Sequence, residues 1–250
     1  MCQFKSAICL KDRVFVPDYD SHSDMLEELN IPDDMRHASE TFVRVECYPA
    51  DGDKGSDPMG WQIKVDQDIL PDWFMPEVDY PRIREAIADW CAKHVLREGK
   101  HEVRNGVWIA TDSATVRATN SATVKATNSA TVKATNSATV EAYGSATVEA
   151  YGSATVKAYG SATVRATNSA TVKAYGSATV KAYDSATVRA TNSATVKAYD
   201  SATVKATNSA TVILPVSWQT NKPVELHDNA VCINHRDHTI RSAIKWEQVD

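Results

Sequence analysis

Residues 113–152 read SATVRATN SATVKATN SATVKATN SATVEAYG SATVEAYG, and the octapeptide continues in this way up to residue 216. Thirteen arms begin at every eighth residue, the last at Ser209. Ser, Ala, Thr and Val fill the first four positions, and the second Ala gives way only in the last arm, to Leu214. Alternation puts Ala, Val and Ala on one side, and Ser, Thr, a charged residue and Thr or Tyr on the other. A period of two is the pattern of a strand with one buried face. A helix does not fit, because β-branched Thr and Val recur with no 3.6-residue stripe.

Position eight of the complete arms is Asn, Gly or Asp. These residues best tolerate a left-handed backbone, so each arm is expected to end in a tight corner. Thr at position seven is followed by Asn, as in Thr119-Asn120, and Tyr by Gly or Asp, as in Tyr143-Gly144 and Tyr183-Asp184. Two interchangeable corner types are in use.

Volume decides how many arms close a coil. From 113 to 212 there is no Trp, Phe, Leu, Ile, Met, Cys or Pro, and only a repeat architecture folds on such small side chains. Two facing sheets close on Ala-Val-Ala, whereas a 24-residue triangle would leave a void at its centre. The expected fold is therefore mainly β, with a β-solenoid of two eight-residue arms per coil over 109–216. A small α+β head precedes it over 1–108, and a C-terminal β cap closes it over 217–250. Each arm should hydrogen-bond to its equivalents above and below at ~4.8 Å.

A 16-residue coil with corners such as Ala142-Tyr143-Gly144-Ser145 and Thr-rich faces resembles the repeat of bacterial ice nucleation proteins. That family presents a Thr-x-Thr row for ordering water. Here the residue two after Thr is usually Lys or Arg, as in Thr115-Val116-Arg117, which breaks the row. The whole organisation, an acidic head followed by octapeptides, resembles uncharacterised phage and prophage proteins. This resemblance implies a bacterial host cytoplasm and carries no activity with it.

Charge is unevenly distributed. Residues 1–112 carry 13 Lys/Arg against 23 Asp/Glu, a net of −10 within an overall −5, while residues 113–208 carry 10 against 4, a net of +6. Head-to-rod attraction and the solenoid ends are thus two expected routes to a homo-oligomer. The rod's cations all occupy position five: Arg117, Lys125, Lys133, Lys157, Arg165, Lys173, Lys181, Arg189, Lys197 and Lys205, interrupted by Glu141 and Glu149 and ended by Ile213. With two arms per coil they form a column on each face. Such columns keep a flat Thr-rich sheet soluble and hold other sheets off. Interleaved with Tyr, they are also the candidate binding surface for a nucleic acid or another polyanion.

The head holds Trp61, Trp73, Trp90 and Trp108. Ile8-Cys9-Leu10 and Val14-Phe15-Val16 are read as a hairpin. Ser21 should cap a short helix through Leu29. Phe42–Tyr48 and a stretch within 60–69 are read as strands, and Pro81–Arg97 as an amphipathic helix. Asn105-Gly106 carries a hairpin signal. Beyond the rod, 229–233 and 239–244 are read as a capping hairpin, with Ile213-Leu214-Pro215-Val216-Ser217-Trp218 breaking the repeat.

Enzymatic features are sparse. Cys2 would become N-terminal on removal of Met1. Asp66, Asp68 and Asp72 offer carboxylates for a divalent cation, and His227, Cys232, His235 and His238 have the spacing of a metal cluster. Cys2 stands alone, without a following Gly-Arg-Phe, turn and core roles account for the carboxylates and the His/Cys set, and no phosphate-cradling loop or nucleophile elbow occurs. Five cysteines without clustered spacing indicate a reducing compartment. No secretion signal or membrane span is read. The expectation is a non-enzymatic binding or scaffolding protein without cofactor, catalytic residues or metal. Its first-choice partner is a protein, held by sequestration or surface blocking in a phage setting. Polyanion binding, water structuring and an enzymatic head are the alternatives.

Overall fold

The computed structural model describes residues 5–49, 57–216 and 224–242. The chain divides into two compact units, Met1–Val95 and Leu96–Asp250.

In the first unit β1 (Lys5–Leu10), β2 (Val14–Phe15), β3 (Phe42–Tyr48) and β4 (Gln62–Val65) form one antiparallel sheet in the order β2-β1-β3-β4. The expected hairpin and both strands are present. Helix α1 (His22–Glu28) starts at Ser21, whose side chain accepts from Asp24 N at 3.3 Å. Its Met25 and Leu26 bury against Ile8, Leu10 and Phe42. Helix α2 (Met35–Glu40) was not legible from the apolar pattern. It is six residues long and buries only Ala38, and the Asp34 carboxylate caps it by accepting from His37 N at 2.9 Å.

Helix α3 (Pro76–His94) begins five residues earlier than the apolar stripe suggests and carries Pro81 inside it. The start signal is Pro76 in the first turn with Glu77 and Asp79, the arrangement a helix N-terminus favours. Asp79 accepts from Met75 N at 2.8 Å. Ile83, Ile87, Trp90 and Cys91 are its buried face.

In the second unit the two-arm coil is realised in full. Thr131 pairs with Thr115 and Thr147, and Thr139 with Thr123 and Thr155, all in parallel and 16 residues apart. Alternate arms therefore fall in two sheets, which together with the flanking strands have ten and nine strands among the described residues. One contains Arg117 and the other Lys125. Every interior Ala and Val from Ala114 to Val212 is at most 1% exposed. The small side chains let the sheets meet across a filled interior with no room for a chamber.

The corners share one backbone conformation. Asn, Asp and Gly at position eight all lie at positive φ, from 53° at Asn120 to 64° at Gly176. Each corner closes with a bond such as Ala122 N to Thr119 O at 3.1 Å. The T-N and Y-G/D corners thus differ in their side chains and share a path. Asn side chains hydrogen-bond to one another where they stack, as Asn208 Nδ2 does to Asn192 Oδ1 at 3.1 Å.

The solenoid extends past the octapeptide at both ends. Lys100–Val103 pairs in parallel with 115–118, and Val107–Ala110 with 123–126. Asn105-Gly106 is therefore a corner between the two sheets instead of a hairpin turn. Gly106 has φ +78°, and its carbonyl accepts from Thr123 N at 2.9 Å, as the second-position Ala122 accepts from Thr139 N one coil on. The dipeptide demands a turn, but the partner of each flanking strand lies one coil later in the chain.

At the far end Val224–Leu226 and Val231–Asn234 add one more arm to each sheet. Thr239–Ser242 then folds back antiparallel on Val231–Asn234, which is the expected capping hairpin. Ser217, Trp218 and residues 243–244 of that expectation lie outside the described residues, as does Cys2. Among the described residues no helix is long and apolar enough to cross a membrane.

Candidate binding surface of the solenoid

The coil register turns each outward position into a straight column. On the Arg117 sheet, position five runs Glu102, Arg117, Lys133, Glu149, Arg165, Lys181, Lys197, Ile213 and Ile233. On the Lys125 sheet it runs Ile109, Lys125, Glu141, Lys157, Lys173, Arg189, Lys205 and Glu225. All ten sequence-selected cations thus fall in two columns, and Glu141 and Glu149 interrupt one each. Glu225 ends its column after a four-residue insertion that no fixed period would have placed.

The carboxylates neutralise cations selectively. Glu141 accepts from Lys157 at 3.0 Å, and Glu225 from Lys205 at 3.0 Å. Tyr143 and Tyr151 donate their hydroxyls to Glu141 and Glu149 at 3.0 and 2.9 Å. Burial raises the Glu141 carboxyl, but the hydrogen bonds from Lys157 and Tyr143 and the nearby Lys charges outweigh it and hold the group below its ordinary range. Lys157 is raised, chiefly by its bond to Glu141.

The tyrosines stack into ladders that follow the coil spacing. Tyr143–Tyr159 and Tyr159–Tyr175 have ring centroids 4.9 Å apart, and Tyr183–Tyr199 4.6 Å, with planes within 9°. Cations lean forward onto the ring of the next coil. Lys133 lies 4.9 Å over Tyr151 and Arg165 5.1 Å over Tyr183. Beside Arg189 the Lys125 sheet has an open trough of about 350 Å³, bordered by Thr187, Thr203, Lys205 and Glu225.

The other candidates stay apart. Asp66 pairs with His22 at 3.4 Å. Gln67, between Asp66 and Asp68, donates to the carbonyls of Ala38, Phe42 and Ile69, so this loop is a structural tie. Cys232 is buried in the solenoid interior, where desolvation raises its thiol. His227 instead lies 3.7 Å from Glu225 on the outer face, and His235 and His238 are exposed. Among the described residues no three His, Cys, Asp or Glu side chains converge to hold a metal ion. No family model, curated protein or solved structure matches the chain.

Proposed function

We propose that this chain is a non-enzymatic binding scaffold whose working part is the outer surface of the solenoid. The observation that carries the reading is the one-to-one stacking of outward residues. Each coil repeats the contacts of the last in a fixed register, while the interior is filled with Ala and Val. A surface of this kind suits extended partners met along its length, and its closed interior suits no substrate chamber. In the phage setting implied by the resemblance, the scaffold would sequester a host component or block its surface in the host cytoplasm. A protein is the first expected partner.

The test is affinity capture from bacterial lysate with three full-length forms. These are the native chain, a form with the ten position-five cations changed to Gln, and a form lacking Ser145–Gly160, one complete coil. Capture of a defined component by the native chain that is lost in the Gln form supports the reading. A partner weakened by the coil deletion makes rod length part of the function. A native chain that retains nothing beyond what the Gln form retains would overturn it.

A further inference from the structure

The tyrosine ladder on the Lys125 sheet stops at Tyr175. The same column continues with Thr191 and Thr207, so one ring face of Tyr175 has no successor. Cations lean eighteen residues forward, Lys133 onto Tyr151 and Arg165 onto Tyr183. The residues eighteen beyond Lys173 and Arg189 are Thr191 and Thr207, which offer no ring. Among the described residues neither Lys173 nor Arg189 has a carboxylate or aromatic partner, whereas Lys157 and Lys205 on either side are ion-paired. The trough bordered by Arg189, Thr187 and Thr203 lies alongside. On the other sheet Tyr151 is also followed by a Thr, Thr167, but its own coil carries Glu149 in place of a cation, and the column beyond Tyr199 offers Ile213, so among the described residues the arrangement occurs once.

We propose that this stretch binds single-stranded nucleic acid. A base stacks on Tyr175 where a further ring of the ladder would lie, and the adjoining phosphates meet Lys173 and Arg189. An aromatic face accepts any base, and phosphate neutralisation supplies the rest of the affinity. A single strand fits better than a duplex. The column supplies one cation per ~4.8 Å, while duplex DNA carries a charge every ~1.7 Å. Glu141 confines the site to the coils after it. The inference goes beyond the scaffold reading and takes from it only the premise that the outer faces bind.

The experiment is fluorescence anisotropy of the full-length chain with a labelled twelve-residue oligothymidylate, at low and fourfold higher salt. Two or three neutralised phosphates should make binding roughly tenfold weaker at the higher salt. Tyr175→Leu, which removes the stacking ring, should weaken oligothymidylate binding about tenfold and leave inorganic polyphosphate binding unchanged. Thr191→Tyr, which places a ring both where the base would sit and eighteen residues ahead of Lys173, should weaken oligothymidylate binding at least as much. The double variant Lys173→Gln, Arg189→Gln should abolish both, with circular dichroism confirming the fold. Equal or tighter binding of a duplex, an oligothymidylate affinity indifferent to Thr191→Tyr, or equal competition by polyglutamate would overturn the proposal. If no oligonucleotide binds while the native chain still captures a protein that the Gln form loses, this inference falls and the scaffold reading stands. If both are absent, both fall.

Discussion

Glu141 stands one coil before Lys157 in the same outward column, and the two form an ion pair at 3.0 Å while Tyr143 donates to the other carboxylate oxygen at 3.0 Å. The side chains are 22% and 39% exposed, so solvent screens the pair, and it is worth ~0.5 kcal/mol. Its pH signature follows from the direction of each shift. The Glu141 carboxyl is depressed, so its contribution is present above the ordinary glutamate value and lost as pH falls through the lowered one. Lys157 is raised, so its contribution is full below the ordinary lysine value and lost as pH climbs through the raised one. Glu141→Gln should lower the melting temperature slightly at pH 7, and the difference from the native chain should close as acid titrates the carboxyl through its lowered value. A difference that does not shrink as pH falls below the ordinary glutamate range would mean that packing, and not charge, is responsible.

Corners should respond to substitution according to how closely their neighbours approach. A Cβ at Gly176 (φ +64°) would stand 3.3 Å from the backbone N and O of Gly160, whereas at Gly144 (φ +61°) the nearest atom is 3.6 Å away. Both sites strain an L-residue, at ~1 kcal/mol each. Gly176→Ala adds a steric conflict with backbone that cannot turn aside, so it should cost ~2 kcal/mol. Urea unfolding followed by circular dichroism compares the two variants. Equal losses would show that crowding between coils adds nothing to the conformational penalty.

The repeat was readable because each physical requirement left its own mark. Strict alternation marked the strand, residues tolerant of positive φ marked the corner, and the small volume of Ala114, Val116 and Ala118 favoured two arms per coil over three, a choice that the 16-residue pairing register decides. With the coil known, the order of each cation column followed by counting. Asn105-Gly106 was ambiguous because a turn dipeptide does not name the partner of the strands it joins. Helix α2 escaped because it buries a single residue, and the start of α3 because Pro76 and Glu77 precede its apolar stripe. Within the candidate surface, the forward lean of Lys133 and Arg165 onto the next coil was not legible. It depends on rotamers, and so the end of the ladder at Tyr175 acquired meaning only in three dimensions.

The head contains a lysine that the apolar pattern gives no reason to bury. Lys5 is 2% exposed. Its ammonium group donates to Asp20 at 2.8 Å and to Tyr19 O at 2.9 Å, and lies 4.7 Å over the Trp90 ring. Removing one partner of a buried pair is strongly destabilising, but Asp20 retains 29% exposure and can be rehydrated. Lys5→Met should therefore cost ~2 kcal/mol, read from Trp emission in urea. Asp20→Asn alone should cost less, and the double variant should fall short of the sum because the two share one interaction. Strict additivity would show that Lys5 acts through the Tyr19 carbonyl and Trp90 alone.

Cys9 provides a reporter for opening of the head sheet. Burial, with the nearby Asp79 charge, pushes its thiol up to about 12, and Arg82 offsets only part of this. At pH 8 the thiolate fraction is then ~10³-fold below that of an ordinary cysteine, and alkylation needs the thiolate. Iodoacetamide should leave Cys9 unmodified in the native chain and label it once urea unfolds the head, as peptide mass mapping would detect. The raised value also means that burying the neutral thiol contributes stability below about pH 9, lost as pH rises toward 12. Cys9→Ala should accordingly flatten the alkaline decline in head stability between pH 8 and 11 while lowering stability at pH 7 through the cavity it leaves. Rapid labelling of Cys9 under native conditions would instead mean that the β1 strand opens far more readily than its complete burial implies.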